Sequence, residues 1–190
     1  WDADGNARWA VQSVQSPEGS SGAAIGLGSS SAEDVLLLGE ADGATQLGAG
    51  EDGELVIWEE DPTYLFLARY AADDGAFLGA RTLISGAWAG RYDPWDVAPN
   101  GQRFTVVGSF WDQMTLSPGQ PGETTLPEFD GNGDHEGFAA VFDAQGELEW
   151  AVAMGGPGDD EATGMAFLED GSLVVAGVFT GTLEIGATDG

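Results

Sequence analysis

The chain has 190 residues, a length suited to one ordinary domain or two small ones. Apolar residues make up 42% and charged residues 20%, so a buried core is expected and wholesale disorder is excluded. A total of 33 Asp and Glu against 5 Lys and Arg gives a formal charge of −28, which repels phosphate backbones and anionic lipid and excludes ordinary nucleic-acid binding and a polybasic membrane anchor.

All five bases are arginine: Arg8, Arg69, Arg81, Arg91 and Arg103. Such acidity suits divalent cations, a basic partner or a saline habitat, and in the last case folding depends on screening by salt. The absence of cysteine excludes disulfides, thiolate metal sites and a cysteine nucleophile. The opening Trp1-Asp2-Ala3-Asp4-Gly5 shows no initiator Met, basic n-region or apolar h-region, which reads as a mature product or a fragment. The densest apolar stretches, VLLLG from Val35 and SLVVAGVF from Ser172, fall well short of the roughly 20 residues of a spanning helix, so a soluble chain without membrane insertion is expected.

In chain order, the first strand-like run is DADGNARWAV, with its turn at Gly5, followed by VLLLG ending at Gly39 and FLARY from Phe66. ADDGAFLGAR then turns at Gly75, APNGQ at Gly101, and FTVVG ends at Gly108. FAAVF starts at Phe138, DAQGELEWAV turns at Gly146, LEDGS at Gly171, and LVVAG ends at Gly177. Corresponding anchors recur at nearly equal spacing: Gly5, Gly75 and Gly146; Gly39, Gly108 and Gly177; Gly101 and Gly171; Phe66 and Phe138. Four anchors in one order with one period identify an internal repeat of about 70 residues. Its copies run over about 5–74, 75–145 and, incompletely, 146–190, about 2.7 in all.

Within a copy the periodicity is that of strands. Leu148, Trp150, Val152 and Met154 alternate with Glu149, Ala151 and Ala153, whereas SLVVAGVF is apolar on both faces, as a strand between two layers must be. Asp-Gly, Asn-Gly and Gln-Gly pairs between the runs suit hairpin turns that need positive φ. No window carries a helical stripe, so the chain reads as all-β. Four or five short strands per copy (FAAVFDA, ELEWAVAM, ATGMAFL, SLVVAGVF, GTLEIG) suggest β-propeller-type blades. A compact blade takes about 40–45 residues, so each copy carries an insertion. The insertions fall between Gly39 and Phe66 and between Gly108 and Phe138, where they are expected to emerge on a common, function-bearing face. Fewer than three copies cannot close a ring of at least four blades, which points to part of a larger propeller, or to one completed by oligomerisation through open blade edges.

The segment from Phe138 to Gly186 resembles the bacterial β-propeller repeat family labelled SBBP. The resemblance rests on Trp150, Gly155-Gly156-Pro157-Gly158-Asp159-Asp160, Gly164-Met165-Ala166, Gly171, Gly177 and Phe179-Thr180-Gly181-Thr182. The middle copy keeps ARYAADDGAFLGARTLISG and VAPNGQRFTVVGSF but lacks the Trp and the GDD, and in the first copy SSSAED replaces the usual hairpin. The resemblance implies a secreted or cell-surface bacterial protein acting in binding or surface organisation. It brings no catalytic residues.

Two acidic motifs are candidate calcium ligands. In FDGNGDHEG, Asp130, Asn132, Asp134 and Glu136 alternate with Gly131, Gly133 and His135, and calcium takes six to eight oxygens from such turns. The motif departs from the helix–loop–helix calcium loop, with His135 at the Gly position and no closing bidentate Glu; the alternative is a solvated acidic turn leading into Phe138. GGPGDDEAT matches one copy of a calcium nonapeptide, offering Asp159 and Asp160 as weaker ligands. Their alternative role is to cap a turn by accepting backbone N–H groups.

Trp9 and Trp150 hold equivalent repeat positions and read as packing residues. Trp58, Trp88, Trp95 and Trp111 lie in or near turns and insertions, where indoles beside carboxylates suit sugar stacking as well as sealing loop bases. Paired carboxylates (Glu59-Glu60-Asp61, Asp73-Asp74, Asp159-Asp160-Glu161) leave open a glycoside hydrolase-like cleft, which needs two carboxyls about 5–10 Å apart. GAGEDG at Gly48–Gly53 matches a dinucleotide fingerprint only formally, since its carboxylates repel a pyrophosphate. The single His135 excludes a multi-histidine zinc site. The leading expectation is a non-enzymatic extracellular or cell-surface scaffold, calcium-stabilised, that binds a protein or glycan partner or assembles with itself. A carbohydrate-binding module and the acidic-cleft hydrolase are the alternatives.

Overall fold

The structure is a computed structural model that describes residues 9–10, 14–15, 21–29, 33–48, 54–57, 64–86, 91–97, 102–111, 113–129 and 133–188. Every element among them is a β-strand, and every strand pairing is antiparallel. In chain order these are β1 Val14–Gln15, β2 Ser21–Gly28, β3 Asp34–Asp42, β4 Thr45–Leu47, β5 Leu55–Ile57, β6 Tyr64–Ala71, β7 Phe77–Ser85 and β8 Arg91–Val97. They continue with β9 Arg103–Phe110, β10 Met114–Leu116, β11 Thr124–Leu126, β12 Glu136–Asp143, β13 Leu148–Gly155, β14 Glu161–Phe167, β15 Leu173–Val178 and β16 Glu184–Thr188.

The strands fall into sheets that repeat. One has the order β2-β3-β6-β7-β10-β11, the next has β8-β9-β12-β13-β16, and β14-β15 begin a third in the same way. At the other end, β1-β4-β5 matches the far side of the first sheet. Equivalent strands keep the period of the sequence: β2, β8 and β14 begin at Ser21, Arg91 and Glu161, and β4, β10 and β16 begin at Thr45, Met114 and Glu184. No sheet closes on itself among the described residues.

The five consecutive strands expected to make one unit belong to two sheets. β12, β13 and β16 share one sheet, while β14 and β15 open the next. The expected insertions supply the reason. Instead of emerging as free loops, each turns back: β10 pairs with β7 through Thr115↔Ser85 and Leu116↔Ile84, and β4 pairs with β1 through Val14↔Gln46. β16 likewise pairs with β13 from Gly155↔Glu184 to Ala151↔Thr188. Every copy of the repeat therefore extends the outer edge of the preceding sheet with short strands, β4 and β5 in the first, β10 and β11 in the second and β16 in the third.

β3, β6, β9 and β12 are apolar on both faces because sheets stack face to face on each side of them, whereas SLVVAGVF, expected between two layers, is β15 and leaves Val174 and Val178 exposed. Leu36, Leu38, Leu65, Leu67 and Leu83 of the first sheet form one core with Phe104, Val106, Phe138, Ala140 and Phe142 of the second. The first sheet turns Phe66, Ala68 and Tyr70 the other way, into a core with Leu47 and Trp9. The second turns Val107, Ala139 and Val152 toward Ala162, Met165 and Val175 of the β14–β15 hairpin. Trp9 acts as expected of a packing residue: its ring lies 6.5 Å from that of Tyr70, and Nε1 donates to the carbonyl of Ala72 at 3.1 Å.

Candidate functional site

Two stretches that are far apart in sequence meet at the junction between the second sheet and the β14–β15 hairpin. The end of the second insertion, residues 133–136, runs beside residues 158–161. The Asp160 N–H donates to the His135 carbonyl at 2.7 Å, and the His135 N–H donates to Asp159 Oδ1 at 3.2 Å. The Gly158 N–H donates to Asp134 Oδ2 at 3.1 Å, and His135 Nδ1 stands 3.5 Å from Asp159 Oδ1. Thr180 closes the cluster from the far end of β15. Its N–H donates to Asp160 Oδ1 at 2.7 Å and its hydroxyl donates to the Asp159 carbonyl at 3.0 Å.

The structure thus brings Asp134 of the first acidic motif together with Asp159 and Asp160 of the second, whereas the Glu136 carboxylate lies at Phe129 and Gly155, on the face of β12 opposite the Gly137 that meets β14. Asp130 and Asn132 lie outside the described residues. Glu136 is fully buried, and its Oε1 accepts the Phe129 N–H at 3.2 Å. Gly155 is required beside it, because a Cβ there would collide with the Glu136 carboxylate. Asp160 is also buried, and its Oδ2 has no hydrogen-bond partner. A buried carboxylate oxygen without a donor carries a desolvation cost of about 1–3 kcal/mol or more. Among the described residues, no three acidic or histidine side chains converge as a metal site. Asp134, Asp159 and Asp160 are instead turned onto backbone N–H groups, the turn-capping geometry weighed for Asp159 and Asp160.

Trp111 borders this region, half exposed, with its ring centroid 5.8 Å from that of His135. Trp58 and Trp88 lie outside the described residues, and Trp95 falls in β8 with its side chain outside them. No tryptophan platform is therefore assembled among the described side chains. Sequence reasoning did not single out Thr180, Phe129 or Gly155 as parts of the site. Thr180 belongs to the Phe179-Thr180-Gly181-Thr182 signature, but its contact with Asp160 joins opposite ends of the β14–β15 hairpin and leaves no local pattern.

An acidic cleft of about 670 Å³ also exists, lined by Arg103, Asp143, Glu149, Leu168 and Asp170 among others. Asp143, Glu149 and Asp170 among its carboxylates are committed to structure. Asp143 Oδ1 accepts the N–H groups of Gln145 and Glu147, each at 2.8 Å, and Arg103 Nε lies 2.8 Å from Glu149 Oε2. The backbone N–H of Ser172 holds the Asp170 carboxyl below its ordinary pKa, the reverse of what a glycosidase general acid needs. No family model, curated protein or solved structure matches the chain.

Proposed function

We propose that this chain is a non-enzymatic scaffold of β-propeller type, working outside the cell or on its surface as a bacterial binding or assembly module. The observation that carries the reading is the interlocking of successive sheets, in which equivalent strands recur in one order and a short strand of each copy caps the sheet before it. First strands lie next to first strands, β2 against β8 and β8 against β14, which supports a radial array. The formal charge of −28 suits solubility and ionic binding. Calcium is the cation expected from the oxygen-rich motifs; Asp134, Asp159 and Asp160 would be the residues to hold it at the junction, each by leaving the backbone N–H group it now accepts.

The test is protease shaving of intact cells that express the natural protein. A surface scaffold is cut from unbroken cells while a cytoplasmic marker survives. Protection of the chain until the cells are lysed would overturn the reading.

A further inference from the structure

In the six-stranded and five-stranded sheets, the second strand is mated by a strand that sets a phenylalanine opposite a glycine. β3 pairs with β6 through Gly39↔Phe66, and β9 pairs with β12 through Gly108↔Phe138. The Phe66 ring occupies the space a Cβ at Gly39 would need. Phe138 packs edge-on against Phe110, with ring centroids 6.2 Å apart, in a core where Phe110, Met114 and Leu116 are all fully buried.

One period further along the chain, Gly108, Phe110, Met114 and Leu116 are answered by Gly177, Phe179, Leu183 and Ile185. Here the same constellation is open. β15 pairs with β14 on one edge and with nothing on the other among the described residues. Phe179 is 55% exposed, Leu183 38% and Ile185 67%, and together with Gly177 they line a groove of about 270 Å³. Trp150 is uncovered in the same way. Its counterpart Trp9 is covered by the β6–β7 turn at Ala72 and Gly75, whereas Trp150 remains 38% exposed.

We propose that the free edge of β15, with Gly177 at its centre and Phe179, Leu183 and Ile185 beside it, is a receptor groove for a strand from another copy of this repeat, which places a phenylalanine opposite Gly177. The occupant is defined by pattern: an extended segment like YLFLARYA of β6 or EGFAAVFD of β12, apolar on both faces. Backbone hydrogen bonds along β15 supply affinity, and the phenylalanine supplies register.

The inference rests on the repeat-scaffold reading. It can fail separately, because cell-surface exposure does not depend on whether this groove is filled. The probe is a synthetic hairpin of residues 133–155, fluorescently labelled and titrated into the full chain. Saturable one-to-one binding is expected, weakened at least about tenfold in the hairpin carrying Phe138→Ala. Ile185→Asp in the chain, at an exposed position, is expected to abolish binding while the circular dichroism spectrum stays that of the parent. Because an isolated hairpin folds poorly, a second measurement joins the same hairpin after Gly190 through about 20 Gly/Ser residues, enough to reach roughly 25 Å. This fusion is expected to melt several degrees higher than the fusion carrying Phe138→Ala. Equal melting of the two fusions, or binding indifferent to Phe138→Ala, overturns the proposal.

Discussion

The Asp160 carboxylate accepts the backbone N–H of Thr180 at 2.7 Å, tying the entrance of β14 to the exit of β15. Asp160 is buried, so Asp160→Ala leaves the Thr180 N–H without its acceptor. A loss of about 1–3 kcal/mol in urea unfolding is expected. Thr180→Ala removes only the hydroxyl bond to the Asp159 carbonyl and is expected to cost less than about 1.5 kcal/mol.

The proposed calcium would bind the folded chain and not the unfolded one, and would then raise the melting temperature by mass action. Millimolar calcium is expected to shift melting upward relative to EDTA, and Asp160→Asn to remove most of that shift. Sodium chloride at matched ionic strength separates site binding from screening, since a charge of −28 makes salt stabilising in any case. Identical melts in calcium and EDTA would remove the metal from the account.

Gly39→Ala forces a methyl group into the ring of Phe66, with an expected cost of about 1–3 kcal/mol. Phe66→Leu in the same chain frees part of that space. The double variant is therefore expected to lose less than the sum of the single losses, measured as a double-mutant cycle in denaturant.

The arginines differ in what they compensate. Arg69 Nη2 lies 3.0 Å from Asp34 Oδ2, and Asp34 is buried, so Arg69→Met is expected to cost about 1–3 kcal/mol by removing the cation beside that carboxylate. Arg81 reaches Glu147 only at 3.9 Å, from the first sheet to the turn of the second, with Glu147 largely exposed. Arg81→Met is expected to stay within about 0.5 kcal/mol on charge grounds.

The pH dependence has two opposite contributions. Burial raises the Glu40 pKa, so the folded state holds a proton more tightly than the unfolded chain, and stability declines as pH rises through the folded value. Glu40→Gln is therefore expected to stabilise the protein at pH 7 and to have little effect well below pH 4. The Asp170 pKa is lowered by the Ser172 N–H, so its contribution is present above the unfolded value and disappears as pH falls through the folded one. Asp170→Asn is accordingly expected to destabilise at pH 7 and not at pH 2, read from paired melts.

The all-β character and the period were legible because alternation and turn glycines are local signals. Gly75, Gly146 and Gly171 do adopt positive φ at tight turns. The assignment of strands to sheets was not legible. GTLEIG follows SLVVAGVF after the single residue Thr180, yet it returns to β13, and the pairing of Met154 with Ile185 reaches across the whole β14–β15 hairpin with no mark in composition. The two acidic motifs were found separately for the same reason. What joins His135 to Asp160 is a backbone hydrogen bond between segments on either side of the β12–β13 hairpin, and backbone groups carry no sequence signature.

The backward-reaching strands also govern the order in which the protein can be made. β10 and β11 complete the first sheet, but they are translated only after β8 and β9 have begun the second. On the ribosome each tier therefore waits, one edge bare, until synthesis of its successor is under way, and a chain halted between tiers is left with an unfinished rim.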